Sequence, residues 1–173
     1  MKTIAFAGSN SKNSINHQLV TYVASLVKNS EVIKLSDYEI PMYGIDLEEA
    51  NGIPKGVKAL NKKLAEADQF IISVAEHNGN MTAFLKSNLD WLSRNDREFL
   101  KDKKIVLLST SPGGRGGASA LEATQKILPY FGGEVISTLS IGRFYDVFKD
   151  GEITDKEQKD NLLDLLNQLK QKK

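Results

Sequence analysis

Short runs of apolar and β-branched residues alternate along this chain with segments that carry apolar residues at helical spacing. The apolar runs lie at residues Thr3–Ala7, 31–35, Gln69–Val74, Lys104–Thr110 and 134–139. Three of them are almost continuously apolar, as is typical of strands buried on both faces of a sheet. A repeated strand–helix order predicts a parallel sheet, because each connection must cross over the sheet and its helix then covers one face.

Between these runs, hydrophobic residues recur every three or four positions, which is the spacing of one helix face. The last such stretch extends over residues 155–171. The stripes consist of Ile15, Leu19, Val23 and Leu26; Val57, Leu60 and Leu64; Phe84, Leu85, Leu89 and Leu92; Leu121, Ile127 and Leu128; and Leu162, Leu165, Leu166 and Leu169. We therefore predict an α/β fold with a doubly wound five-stranded parallel sheet of order 2-1-3-4-5 and helices on both faces.

The length and composition favour one domain that covers residues 1–173. A formal net charge of +1 argues against a surface dedicated to nucleic acid. The absence of cysteine excludes thiol nucleophiles and disulfides, and with only two histidines a metal site is not expected. No secretion signal or membrane-length apolar stretch stands out, so we expect a cytoplasmic protein with no membrane partner.

In a doubly wound sheet, ligands bind beyond the carboxyl ends of the strands, where the winding direction reverses. The loops to consider therefore follow the first, third and fourth predicted strands. A long irregular stretch at residues 36–54, about the length of a loop with a short helix, lies between the second and third strands.

The loop after the first strand, at residues 8–16, reads GSNSKNSIN. Its hydroxyl and amide side chains can donate hydrogen bonds, and a helix that begins near Ser14 adds unpaired N–H groups and the positive end of its dipole. These features suit a phosphate held by neutral donors, with Lys12 as the only nearby cation. The alternative is that Asn13 or Ser14 simply caps the helix, and the loop alone does not decide between them.

Two common phosphate-binding motifs do not occur in this chain. The pattern G-x-x-x-x-G-K-[ST] is absent, and no glycine lies between Gly8 and Gly44, which excludes G-x-G-x-x-G at the first loop. What remains is a site for a terminal phosphate monoester such as that of a mononucleotide.

The loop after the third strand, at residues 75–80, reads AEHNGN. Its Asn-Gly pair predicts a turn with left-handed backbone, which exposes N–H and C=O groups to the edge of a planar heterocycle. His77 is expected at the wall of a pocket or stacked on a ligand, since no other metal-ligating group accompanies it.

The loop after the fourth strand, at residues 111–117, reads SPGGRGG. Four glycines in five positions allow the backbone to approach a ligand closely or to move during turnover. The alternative is a mobile surface loop without a ligand. Gly114 and Gly116 begin a dinucleotide-binding pattern, but Ser119 breaks it.

In this combination the three loops closely resemble those of the NAD(P)H-dependent FMN reductase family of flavodoxin-like flavoproteins, which includes quinone, azo and chromate reductases. Members open with G-S-x-R-x-x-S-x-N, of which Gly8, Ser9, Ser14 and Asn16 match here. Their second loop approximates P-E-Y-N-G-S and is followed by a helix similar to L-K-N-A-I-D-W, where this chain has AEHNGN and LKSNLDW. A glycine-rich loop after the fourth strand is also typical, and the similarity covers nearly the whole chain.

The resemblance implies a flavodoxin-like fold and a bound FMN, with no catalytic side chain because the flavin carries the chemistry. The cofactor-binding residues that it implies are Ser9, Ser11, Ser14, Ile15 and Asn16 around the phosphate, Glu76, His77, Asn78 and Gly79 along the isoalloxazine ring, and Ser111, Gly113, Gly114 and Gly117 at its far side. Arg115 is a candidate contact to the nicotinamide phosphate or the acceptor, the alternative being a solvated loop arginine.

Three residues depart from the family pattern. Ser11 stands where relatives have an arginine, Ala75 replaces a proline, and His77 replaces a tyrosine. The first change removes a charge that could assist a phosphate, and the last changes the surface on which a substrate would stack.

The implied activity is hydride transfer from NADPH or NADH to FMN, followed by electron transfer to a small acceptor: a flavin, a quinone, an azo compound or a metal oxyanion. The alternative is a flavodoxin-like electron carrier that is reduced by a partner protein, although flavodoxins are usually strongly acidic and this chain is nearly neutral. Relatives form homodimers or homotetramers, with the helix that carries Trp91 near the subunit contact. From their helical spacing alone, the core is the favoured position for Trp91 and Phe84.

Overall fold

Every segment predicted as a strand pairs in one parallel sheet in the computed structural model, which describes residues 1–170. The strands of the described part, in chain order, are β1 (Thr3–Ala7), β2 (Ser30–Val32), β3 (Gln69–Val74), β4 (Glu76–His77), β5 (Asn80–Met81), β6 (Lys104–Thr110), β7 (Glu134–Ile141), β8 (Phe148–Lys149) and β9 (Glu152–Ile153). The sheet has the order β2-β1-β3-β6-β7, which confirms the predicted 2-1-3-4-5 arrangement. The other four strands form two small antiparallel hairpins, β4–β5 and β8–β9.

Each predicted apolar stripe lies on a helix. The helices formed by residues 1–170 are α1 (Ile15–Ser25), α2 (Ile45–Asn51), α3 (Lys55–Ala65), α4 (Ala83–Asn95), α5 (Ala118–Ile127), α6 (Phe144–Val147) and α7 (Lys156–Lys170). Leu26 and Leu128 fall just after α1 and α5, and position 171 of the last predicted helix lies outside the described residues. None of these helices combines the length and the apolar character that a membrane span requires.

Alternating side chains of the sheet enter two separate hydrophobic cores. Ile4 and Phe6 pack with residues of α3, α4 and α5, whereas Ala5 and Ala7 pack with residues of α1 and α7. β1 and β3 are buried along their whole length. The helices therefore cover both faces, as the uninterrupted apolar runs predicted.

The two edge strands differ in extent from the prediction. The second was expected at 31–35, but β2 ends at Val32, because Leu35 begins a 3₁₀ turn that buries its side chain in the core. The fifth was expected at 134–139, but β7 continues to Ile141, which pairs with Thr110. A strand at the edge of a sheet gains hydrogen bonds from one neighbour only, so its length depends on that neighbour rather than on an apolar pattern.

Trp91 holds the long connection between β2 and β3 against the core. Its indole Nε1 donates a hydrogen bond of 2.9 Å to the carbonyl oxygen of Pro41, and the ring of Tyr43 packs edge-on against it, with centroids 5.0 Å apart. Trp91 is fully buried, so it is a core residue. The connection contains the 3₁₀ turn and α2, in agreement with the expected loop and short helix.

Candidate functional site

Asn16, in the first turn of α1, joins the carboxyl ends of β3 and β6. Its Oδ1 accepts hydrogen bonds from Ser73 Oγ at 2.8 Å and from the Thr110 N–H at 3.1 Å, and its Nδ2 donates to the Thr110 carbonyl at 3.1 Å. The residue is only 3% exposed. Its side chain is therefore occupied by the protein, and what Asn16 can offer a ligand is its backbone N–H.

Ser14 caps α1, as one of the two interpretations of the first loop predicted. Its Oγ accepts the N–H of His17 at 3.1 Å, and its own backbone is extended. The N–H groups of Ile15 and Asn16 belong to the same first turn, where a helix has no internal acceptor for them. Capping and anion binding are thus compatible here, because the cap uses a different N–H group.

Ser9 and Ser11 shape the rest of this loop with their own side chains. Ser9 Oγ accepts from the Ser11 N–H, and Ser11 Oγ accepts from the Asn13 N–H, each at 3.3 Å. As acceptors in these turns the two hydroxyls keep their hydrogens, which remain able to donate to an anion.

Gly8 and Thr82 fix the exit from β1. Gly8 donates its N–H to the Ser73 carbonyl, and its carbonyl accepts the Thr82 hydroxyl, both at 2.8 Å. The same Thr82 oxygen caps α4 by accepting the N–H of Leu85 at 3.0 Å. Thr82 did not stand out in the sequence, although a threonine immediately before an amphipathic stripe is a helix-capping signal.

A pocket of about 240 Å³ lies between this loop and the segment after β2. The polar and charged side chains that line it include Ser9, Ser11, Lys12, His17, Lys34 and Asp37. The expectation that Lys12 is the only cation near the loop is therefore wrong. Because β2 pairs with β1 in parallel, with Ala5 opposite Val32, the chain just after β2 carries Lys34 to the end of β1.

The pocket also changes the protonation of His17, which lines it. Burial lowers the pKa of His17 below its usual value, the charge of Lys34 lowers it further, and Asp37 acts weakly in the opposite direction. These effects favour the neutral form of His17, and the full positive charges at this pocket are those of Lys12 and Lys34.

The Asn-Gly turn after β3 has the predicted backbone. Asn78 and Gly79 have φ angles of 53° and 76°, and the flanking residues pair as the β4–β5 hairpin. His77 is exposed and lines a second pocket of about 240 Å³, whose wall also contains Met42 and Phe84. Asn10 lines both pockets, so they adjoin at the first loop.

Glu76 links this hairpin to the glycine-rich loop. Its Oε2 accepts the N–H of Ala120 at 3.1 Å and so caps the start of α5. Gly117, which precedes α5 with φ of 79°, lies against the same residue, because a Cβ there would be 3.5 Å from Glu76 Cβ and 3.3 Å from Ser109 Cβ. Ser109 Oγ, directly behind Gly117, is buried without a hydrogen-bond partner among the described residues.

The glycine-rich loop is pinned to the segment that follows β7. The Gly113 carbonyl accepts the N–H of Arg143 at 3.0 Å, and the Ser111 carbonyl accepts the N–H of Phe144 at 3.1 Å. Gly114 is exposed, and so is Arg115, whose guanidinium donates to Ser119 Oγ at 3.1 Å. The surface of this loop is thus accessible while its backbone is held in place.

We expect replacement of Glu76 by alanine to lower the free energy of unfolding by about 1 kcal/mol, because the helix loses a charged N-terminal cap. Glu76→Gln retains an acceptor oxygen and should lose less. Urea denaturation measures both, with Glu122→Ala, at an exposed position of α5, as the control that changes by less than about 0.5 kcal/mol. Equal losses for Glu76→Ala and Glu122→Ala would contradict the capping role.

Comparisons with known proteins agree with this arrangement. Residues 1–146 match the family described as NADPH-dependent FMN reductase. The chain is 30% identical over 139 residues to the quinone reductase of Escherichia coli, covering 79% of this chain and 74% of that protein.

Solved structures with the same fold span almost the whole chain. The flavoenzyme NAD(P)H:(acceptor) oxidoreductase FerB from Paracoccus denitrificans has a TM-score of 0.78 at 24% identity, with 97% of this chain and 94% of that one covered. An FMN-dependent NADH-azoreductase from Bacillus anthracis, solved in complex with FMN, has a TM-score of 0.64 at 14% identity, with 97% and 99% covered.

Proposed function

The chain belongs to the NADPH-dependent FMN reductase family, and from this premise we propose that it binds FMN, oxidises NADPH or NADH, and reduces a small acceptor. The observation that carries the proposal is the meeting of two adjoining pockets at the first loop. One contains lysines and hydroxyls, and the other combines polar groups with the apolar side chains of Ile40, Met42 and Phe84. A mononucleotide has the same division between a charged phosphate and a flat, largely apolar heterocycle.

The first loop fits a phosphate monoester. We assign the phosphate to the hydroxyls of Ser9 and Ser11 and to the N–H groups of Ile15 and Asn16, at the positive end of α1. Ser14 contributes through the cap that sets the start of this helix. These groups are neutral donors, so they hold an anion without a charged partner of their own.

The hairpin and the glycine-rich loop fit a planar ring. We assign its edge and faces to residues 76–79 on one side and to Ser111, Gly113, Gly114 and Gly117 on the other, with Glu76 acting through the hydrogen bond that fixes the two loops relative to each other. Gly117 supports this assignment, since its φ of 79° favours glycine and a Cβ at that position would lie only 3.3 Å from Ser109 Cβ, so the backbone packs closely here.

Bound FMN supplies the redox chemistry, by accepting a hydride from the nicotinamide and passing electrons to the acceptor. The residues of this chain bind and orient it, and their N–H groups stabilise negative charge on the ring. Exposed His77 and Arg115 lie where a nicotinamide or an acceptor can contact them. Among acceptors, a quinone is favoured by the relative in Escherichia coli, which is named a quinone reductase.

The electron-carrier alternative differs from this proposal in turnover and not in cofactor. A carrier reduced by a partner protein would bind FMN but would show no steady-state oxidation of NADPH or NADH with a small acceptor. Family membership and the nearly neutral charge favour the enzyme.

We expect the purified chain to bind FMN at least about tenfold more tightly than riboflavin, because each charge-assisted hydrogen bond to a phosphate contributes roughly 1.5–3 kcal/mol. Quenching of flavin fluorescence on titration with the apoprotein measures both affinities. Equal affinities would contradict the phosphate site, and a failure to bind FMN would contradict the cofactor assignment.

Assembly as a homodimer or homotetramer stays a prediction. Met42 and Ile45 are 64% and 50% exposed, so the segment around α2 offers apolar surface to a second copy. Light scattering after size-exclusion chromatography measures the number of subunits.

A further inference from the structure

The lysine-containing pocket at the first loop has a wall that does not belong to that loop. Lys34 and Asp37 lie on the segment after β2, and they face Ser9, Ser11 and Lys12 across a pocket of about 240 Å³. Neither Lys12 nor Lys34 has a carboxylate partner within ion-pair distance among residues 1–170, whereas Lys2 and Lys63 are held by Glu31 and Glu66.

The two walls of the pocket differ in charge. The first loop brings Lys12, and the segment after β2 brings one lysine and one aspartate. Burial and the nearby lysine lower the pKa of His17, which favours its neutral form. An anion in this pocket is therefore attracted by Lys34 and repelled by Asp37. Both side chains are exposed, so solvent moderates these effects and salt screens them.

We infer that Lys34 and Asp37 set the affinity of the phosphate loop for its phosphate monoester, Lys34 by strengthening it and Asp37 by weakening it. The inference rests on the proposed function, since FMN is the ligand concerned. On this inference, Lys34 supplies the positive charge that the first loop lacks at Ser11. Lys34 and Asp37 would then determine the affinity for FMN although neither belongs to any of the three loop motifs.

Substitutions of opposite expected sign test this inference. Lys34→Gln should weaken FMN binding about three- to tenfold, Lys34→Arg should keep it near the wild-type value, and Asp37→Asn should strengthen it about two- to threefold. Both Lys34 and Asp37 are exposed, so these variants should fold. The controls are Lys28→Gln and Asp164→Asn, exposed positions outside the pocket, which should leave the affinity unchanged.

The readout is the dissociation constant of FMN, from quenching of its fluorescence, with riboflavin titrated in parallel. The effects should disappear with riboflavin, which has no phosphate, and should shrink as salt is raised from about 0.05 to 0.5 M. Effects of equal size on riboflavin would show a structural role and overturn the inference.

Two other outcomes separate the inference from the proposed function. Normal FMN binding by the wild type with unchanged binding by Lys34→Gln contradicts the inference alone. A raised KM for NADPH in Lys34→Gln, with FMN affinity unchanged, assigns the pocket to the nicotinamide nucleotide and likewise overturns it. Failure of the wild type to bind FMN contradicts the proposed function, and the inference with it.

Discussion

Replacement of Asn16 by alanine is expected to lower the free energy of unfolding by about 3 kcal/mol. The change removes three hydrogen bonds, to Ser73 Oγ and to the N–H and C=O of Thr110, in a place that is almost wholly buried. Each buried polar group left without a partner costs roughly 1–3 kcal/mol. The same change removes the contacts that fix the first turn of α1 to the ends of β3 and β6, so FMN affinity should fall as well.

Urea denaturation followed by circular dichroism measures this loss. Asn13→Ala is the matched control, because Asn13 is an exposed asparagine of the same loop and its replacement should cost less than about 0.5 kcal/mol. A loss below 1 kcal/mol for Asn16→Ala would show that the hydrogen bonds of this junction contribute little to the fold.

Replacement of Gly142 by alanine is expected to lower the free energy of unfolding by about 2 kcal/mol and to reduce FMN affinity. The added Cβ would lie 2.3 Å from the carbonyl oxygen of Gly114 and 2.8 Å from its carbon, and a backbone neighbour cannot rotate away as a side chain can. Overpacking of this kind costs typically 1–3 kcal/mol. The strain falls on the glycine-rich loop, so the proposed ring site must move.

Gly44→Ala provides the control for this change. Nothing lies within 4 Å of a Cβ at Gly44, and its φ of −157° is open to any residue. Denaturation and FMN titration are performed on both variants. If Gly142→Ala bound FMN as the wild type does, the glycine-rich loop would have to be placed away from the ring.

The central part of the fold was predictable from the sequence, and its edges were less so. β3 is buried on both faces, so a continuous apolar run marked its bounds without error. β2 and β7 are edge strands with partly exposed residues, and their ends are set by pairing with β1 and β6. Hydrogen-bond register between distant segments leaves no periodic signal in a single sequence.

The site shows the same division between local and long-range features. The turn at Asn78 and the cap at Ser14 depend on neighbouring residues, and the sequence predicted the turn and offered Ser14 as one of two candidates for the cap. The hydrogen bond of Glu76 and the position of Lys34 involve elements that lie far away along the chain, and nothing local in the sequence indicates these contacts. Thr82 has a local capping signal, but its hydrogen bond to the Gly8 carbonyl has none. Ser11 illustrates the consequence, since Lys34 of the segment after β2 lines the same pocket and the first loop gives no sign of it.

Anaerobic titration of the FMN-loaded protein with NADPH, and separately with NADH, tests the proposed function most directly. We predict that at least one of the two nicotinamides bleaches the visible absorbance of the flavin, at a rate no slower than steady-state turnover. Addition of a quinone should then restore the absorbance. A protein that holds FMN but is reduced by neither nicotinamide, while dithionite still bleaches it, would contradict the reductase assignment and favour the electron carrier.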